Sequence, residues 1–143
     1  MAALLDVESF THGTVECTDM AATRRFLTEF LGLDIIRPLP EAQYMWKGGL
    51  WSIVCVHVDG EPKDQGIENR FKVSVASAAD VRAAHATALA ERETYGIKAV
   101  RDVEEKDGHT SFLLQDLNSG WWEITDLAQK NYDEMFEKLG KAA

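Results

Sequence analysis

Residues 108–124 read GHTSFLLQDLNSGWWEI, and the rest of the chain is arranged around them. Two apolar-rich runs, 109–115 and 121–127, flank Asp116-Leu117-Asn118-Ser119-Gly120. Clusters of Asp, Asn, Ser and Gly of this kind reverse a chain between strands, so the stretch predicts a β-hairpin. Side chains alternate across a strand, which puts Glu123 on one face with Trp121 and Thr125, and Trp122 and Ile124 on the other. If Trp122 and Ile124 supply the core, Glu123 projects from the opposite face. A carboxylate there is costly unless the face is a wet cleft or holds a cation or an Arg. A solvated Glu on an open sheet face satisfies the same pattern.

With 143 residues, 45% of them hydrophobic, the chain suits one domain or two small repeated halves sharing one core. It carries 24 acidic against 15 basic residues, a net charge of -9, with no basic run. A phosphate backbone would be repelled, so no nucleic-acid partner is expected. Residues 1–10 lack the basic start and apolar run of a signal peptide, and no stretch approaches the roughly 20 apolar residues that cross a bilayer. A cytoplasmic protein with no membrane partner is the expectation. Cys17 and Cys55 are too few for a disulfide framework and show no CxxC spacing, so both are expected to be reduced.

Taken in order, FTHGTVEC at 10–17 predicts a strand with His12, Thr14 and Glu16 on one face and Val15 and Cys17 on the other. Asp19 then caps a helix over 20–31, with Phe26, Leu27, Phe30 and Leu31 as its apolar stripe and Gly32 as its stop. Strands follow at 34–37, 43–46 and 51–58, separated by Pro38-Leu39-Pro40 and Gly48-Gly49. After the polar linker 59–66 the order begins again: a strand at 70–75, a helix over 78–92 capped by Ser77, and strands at 98–103, 109–115 and 121–125. His12 precedes Asp19 by seven residues and Arg70 precedes Ser77 by seven, which gives a structural period of about 58 residues and makes His12 and Arg70 equivalent positions. Tyr132, Met135, Phe136 and Leu139 fall at helical spacing and predict a final amphipathic helix over 127–139.

Three stretches, HGTVECTDMAATRRFLTEFLGLDII, NRFKVSVASAADV and SFLLQDLNSGWWEI, together with the paired β-α-β-β-β order, resemble the vicinal oxygen chelate superfamily. That superfamily includes glyoxalase I, extradiol dioxygenases, methylmalonyl-CoA epimerase, fosfomycin-resistance enzymes and bleomycin-binding proteins. The resemblance implies an α+β fold of two β-α-β-β-β modules, about 8–60 and 67–127, curled into a U-shaped, cleft-bearing mixed sheet, with the extra C-terminal helix and frequent dimerisation. It also implies metal ligands on the first and last strands of the modules. Those positions fall on His12, His57, Arg70 and Glu123. The family commonly places a His where this chain has Arg70, and a guanidinium cannot ligate a cation. Ring-cleaving relatives carry a Tyr where this hairpin has Leu113.

Each candidate has two readings. His12 is a ligand or a hydrogen-bonded histidine at a sheet edge. His57 is the fourth-strand ligand or a polar residue where the strand ends. His12, His57 and Glu123 would together make two histidines and a carboxylate, a set that suits Fe, Mn, Ni or Zn. Arg70 fills the metal's place beside Glu123, clamps an anionic group of a substrate, or is an exposed base. His109, on the face of Ser111 and Leu113, is a candidate general acid or base, and so is Glu123. Tyr44, Trp46, Trp51 and Trp121 line an aromatic pocket or belong to the core. The expectation is a metal-dependent enzyme acting on a small oxygen-rich or aromatic substrate. Its metal is held by His12, His57 and Glu123; its substrate meets Arg70, Tyr44, Trp46, Trp121 and Leu113; and the protein is a homodimer. The alternative is a metal-free binding or sequestering protein, and a third reading is metal-free catalysis with His109 or Glu123 as base.

Overall fold

The computed structural model describes residues 4–5, 12–38, 41–47, 52–128, 131, 133–135, 137 and 138. Asp19 opens α1 (Met20–Arg25), its side chain accepting from the backbone N–H of Ala22 at 2.9 Å. The helix then widens into a π-helical turn, Phe26–Phe30, in which the Leu31 N–H reaches back five residues to the Phe26 carbonyl at 3.0 Å. Thr28 contributes locally, because its hydroxyl donates to the Arg24 carbonyl at 2.8 Å. Gly32, at φ +68°, ends the element as expected.

Around α1 stand β1 (His12–Cys17), β2 (Asp34–Pro38), β3 (Ala42–Trp46) and β4 (Ser52–His57). They form a sheet in the order β1-β4-β3-β2, with β1 and β4 parallel and the other pairs antiparallel. The second module repeats the plan. β5 (Arg70–Ser74) lies parallel to β9 (Trp121–Thr125), which pairs antiparallel with β8 (His109–Gln115). β6 (Ala99–Val100) closes the order β5-β9-β8-β6, and α2 (Ala78–Ala90) begins at a Ser77 cap. The chain thus has the α+β fold of two β-α-β-β-β modules.

Besides the π-helical turn, a further strand was not expected. The single strand over 98–103 is instead the short β6 followed by β7 (Glu104–Lys106), which forms a hairpin with β8. Asp107 and Gly108 make the turn at φ +52° and +78°, the two positive values of a tight hairpin.

Among the described residues one core cluster joins the modules. It contains Cys17, Phe26, Leu27, Met45 and Cys55 from the first, and Val81, Phe112, Leu114, Trp122 and Ile124 from the second. Phe26 and Phe30, from the apolar stripe of the helix, belong to this core together with Val15 and Cys17 of β1. The rings also bridge the modules: Phe26 meets Trp122 edge-on at 6.3 Å, and Phe30 meets Tyr95 at 5.6 Å. Behind them the buried Asn118 donates to the buried Thr23 hydroxyl at 2.9 Å. Helical backbone is present at 131, 133–135, 137 and 138, and Met135 there is half-exposed. Tyr132, Phe136 and Leu139, the other expected members of its apolar stripe, lie outside the described residues.

Candidate functional site

The strict alternation of β8 sends Phe112 and Leu114 into the core and leaves Ser111, Leu113 and Gln115 on the other face. Registration carries this across the sheet. Leu113 stands opposite Glu123, Glu123 beside Lys72, and Trp121 beside Arg70. One face of the second module therefore gathers Arg70, Lys72, Trp121, Glu123 and Leu113.

At its centre is an ion cluster. Arg70 Nε donates to Glu123 Oε2 at 2.8 Å, and Lys72 Nζ lies 3.4 Å from the same oxygen. Arg70 Nη1 is held by the Ile67 carbonyl and by Glu68 Oε2, each at 3.2 Å. Glu123 is 12% exposed, Arg70 24% and Lys72 43%, so the carboxylate is shielded while the ammonium faces water. Burial pushes the Glu123 carboxyl up, but the Arg70 hydrogen bond and the charges of Lys72 and Arg70 outweigh it and hold the group below its ordinary range. The hydrogen bond to Glu123 in turn raises Arg70.

The remaining expected residues are placed elsewhere. His12 begins β1 beside Ser52, exposed, on the face of Thr14 and Glu16. His57 pairs with Cys17 at the other end of the same strand pair, five positions along, or about 16 Å. It also falls on the opposite face, with Ile53 and Cys55. His12 and His57 are therefore not brought together, and the set of His12, His57 and Glu123 is not assembled within this chain. Among the described residues no group of three or more His, Cys, Asp or Glu could hold a metal ion. With Glu123 occupied by two cations, the described residues around it do not fit a divalent metal.

His109 is on the expected face, but four residues along β8 from Leu113, or about 13 Å from the row of Glu123. Its Nδ1 stands 3.5 Å from Asp126 Oδ1, which also accepts from the Thr110 N–H at 2.9 Å. The Tyr44 backbone pairs with Val54; its side chain, that of Trp46, and all of Trp51 lie outside the described residues.

Two features were missed from sequence. Lys72 was legible as a neighbour of Arg70 on one strand face, yet its carboxylate partner lies 51 residues away. Asp64 in the linker accepts from Trp121 Nε1 and Gln115 Nε2, both at 3.1 Å, and from the Gly66 N–H at 2.8 Å. It pins the linker over the hairpin. Beside it opens a cavity of about 400 Å³ between the modules, walled by Thr14, Glu16 and Val56 on one side and by Lys63, Asn69 and Trp121 on the other.

Solved structures share this architecture, and the chain has the vicinal oxygen chelate fold. A mutant of the fosfomycin resistance protein FosX from Listeria monocytogenes, complexed with Mn(II) and a dihydroxypropylphosphonic acid, superposes with a TM-score of 0.67 at 13% identity, covering 92% of this chain and 99% of its own. Lactoylglutathione lyase from Agrobacterium tumefaciens matches with a TM-score of 0.56 at 14% identity, over 83% of this chain and 93% of its own. A glyoxalase/bleomycin resistance protein/dioxygenase from Alicyclobacillus acidocaldarius matches with a TM-score of 0.59 at 16% identity, over 82% and 90%. No family model and no curated protein matches the sequence. No described helix is long and apolar enough to cross a membrane.

Proposed function

We propose that the chain binds a small anionic molecule on the face of its second module, without the divalent metal seen in the Mn(II)-bound FosX structure. The observation that carries this reading is the 2.8 Å contact of Arg70 with Glu123, backed by Lys72 at 3.4 Å. Two cations share one shielded carboxylate, so the cluster keeps a positive charge for a ligand. Glu68, which also touches Arg70, is 92% exposed and therefore screened by water. Arg70 Nε and Nη1 are engaged, and its Nη2 makes no hydrogen bond to a described residue. A carboxylate or phosphonate would bridge that nitrogen and Lys72 Nζ, while Trp121 and Leu113 would flank an apolar or aromatic body. Glu123 positions the guanidinium. A second copy of the chain, set against the edge strands β1 and β5, belongs to this reading, and sedimentation should show twice the chain mass of 16.0 kDa.

The test is metal analysis of the chain purified without chelator, paired with calorimetric titration of small phosphonates and carboxylates. Absence of near-stoichiometric Mn, Fe, Ni or Zn, with anion binding that weakens roughly 10- to 150-fold in Arg70→Ala, is the expected result.

The second reading, a metal-dependent enzyme, is favoured by the Mn(II) of the FosX structure and by the lyase among the structural matches. It requires Arg70 and Lys72 to release Glu123 to a metal shared with His12. One equivalent of tightly held Mn, Fe, Ni or Zn would establish it in place of the first.

A further inference from the structure

The linker at 59–66 runs as a strap along the cavity of about 400 Å³ between the modules, and its Pro62, Lys63 and Gln65 are part of the wall. Among the described residues the backbone of 59–65 makes no hydrogen bond to another backbone group. The strap is held to the hairpin through the Asp64 side chain, which accepts from Trp121 Nε1 and Gln115 Nε2 at 3.1 Å. Gly60 and Gly66 stand at its two ends at φ +87° and +90°, with no heavy atom within 4 Å of where a Cβ would sit. Two unpacked glycine joints with one side-chain latch between them make a segment that opens without disturbing the core. The floor of the cavity is apolar, since Leu27 and Trp122 reach it from the cores of the two modules. Asp116 in its wall is spent on Trp122 Nε1 and on the N–H groups of Asn118 and Gly120, and Asn118 is spent on Thr23. Two charges in the wall are not spent. Glu16 of β1 and Lys63 of the strap make no hydrogen bond or ion pair with a described residue, nor with each other.

We propose that this cavity is a second ligand site, closed by the strap, for a small zwitterion that carries an ammonium and a carboxylate on an apolar body, as a free amino acid does. Its volume is near the lower end of the roughly 300–1,000 Å³ of ligand pockets, which suits a molecule of that size. The ammonium meets Glu16 beside the Thr14 hydroxyl, the carboxylate meets Lys63 beside the Asn69 amide, and the apolar body rests on Leu27 and Trp122. Two unspent charges of opposite sign favour this ligand over a singly charged one. An anion pairs Lys63 but sets a like charge against Glu16, and a cation does the reverse. A wholly apolar ligand leaves both charges desolvated beneath the strap. Closing the strap brings Lys63 onto the ligand, so binding and closure favour each other. Arg70 and Lys72 do not line this cavity, whereas Trp121 borders both places, so the site does not rest on the anion reading.

The experiment is a calorimetric titration of the full chain with L-phenylalanine and L-leucine, set against phenethylamine, which lacks the carboxylate, and phenylpropionate, which lacks the ammonium. Binding of an amino acid in the millimolar range or tighter is expected, with both analogues weaker than L-phenylalanine. Glu16 and Lys63 are exposed, so Glu16→Gln and Lys63→Gln keep the fold; each should weaken L-phenylalanine by about fivefold. Asp64→Ala frees the strap, and should speed ligand release in stopped-flow fluorescence and shift the Trp121 indole N–H resonance. A saturating small phosphonate, the probe of the anion site, should not displace L-phenylalanine. No binding of either amino acid, an analogue as tight as L-phenylalanine, unchanged affinity in Glu16→Gln or Lys63→Gln, an unchanged release rate in Asp64→Ala, or displacement by the phosphonate would each overturn the site. Failure of the phosphonate itself to bind counts against the anion reading alone.

Discussion

The two modules share one topology but place different chemistry on equivalent positions. Counting from the first register pair of each, His12 with Ser52 and Arg70 with Trp121, the partners Lys72 and Glu123 correspond to Thr14 and Val54. The second module thus holds a charged cluster where the first holds a hydroxyl and a buried valine. His57 is three positions beyond Val54, and so corresponds to Asp126 rather than to Glu123. The two modules share a backbone plan and an apolar core face but differ in the ionisable residues on the other face, so a ligand set cannot be transferred between halves by strand number. Register decides which side chains meet.

The largest effect should come from the residue that both modules share as core. Trp122 is fully buried, packs on Phe26 and Phe71, and donates its ring N–H to Asp116 at 2.7 Å. Trp122→Ala should cost about 3 to 5 kcal/mol in urea denaturation. A single transition should persist, because the two modules melt together through the common cluster. Two separated transitions would mean that each module keeps its own core.

Next in size is the contrast across equivalent positions. Arg70→Ala leaves Glu123 shielded and held only by Lys72. Breaking a fully buried pair costs about 3 to 5 kcal/mol; with Arg70 24% exposed and Lys72 still in place, about 1 to 3 kcal/mol is expected. Thr14→Ala, at the counterpart of Lys72 on an exposed strand face, should stay within about 0.5 kcal/mol. Equal losses at the two sites would remove the asymmetry drawn between the modules.

Much of this fold is legible in the sequence because its signals are local. Asp19 and Ser77 cap helices, the 116–120 cluster turns a hairpin, and the 58-residue period pairs the modules. Even the missed β7 hairpin had its mark in Asp107-Gly108. The π-helical turn had none, since Phe26 to Leu31 reads as an ordinary apolar stripe. The site was half-legible for the same reason. Alternation put Arg70 with Lys72 and Glu123 with Trp121, but the 2.8 Å contact between strands depends on a register that no spacing shows. His57 pairs with Cys17, on the face opposite His12, and its place at the end of a strand does not show that register. The Asp64 latch joins residues 51 and 57 apart in sequence, beyond any local pattern.

A smaller, chemical effect separates the two readings of the site. Arg70→His restores an imidazole at the position where metal-binding relatives are expected to carry one, and removes the guanidinium from Glu123. If the parent is metal-free, calorimetry should find new affinity for Mn(II), Fe(II) or Zn(II) in the variant. A parent that already binds one equivalent tightly, with the variant no better, would restore the metal-dependent enzyme.

The least of the expected effects is in acid, and it asks whether the cluster acts on stability through charge. Glu123 is held below its ordinary value of 4.5 in the folded chain, because Arg70 and Lys72 outweigh the burial that opposes them. A carboxyl whose folded value is depressed binds its proton more readily when unfolded. Its contribution is therefore fully present above 4.5 and is lost as pH falls from there through the lowered folded value. Glu123→Gln removes the titration while nearly keeping the shape, so parent and variant should differ most near neutrality and converge as pH falls below 4.5. Asp116 opposes this trend. Burial raises it despite the donors from Trp122, Gly120 and Asn118, so its protonated form is the favoured one in the folded state, and its contribution moves the other way with pH. Since Asp116 is common to both chains, it cancels in the difference between them. A gap between parent and Glu123→Gln that stays constant from pH 7 to pH 3 would show that the carboxylate serves by shape and hydrogen bonding alone, and the electrostatic contrast between the modules would fall with it.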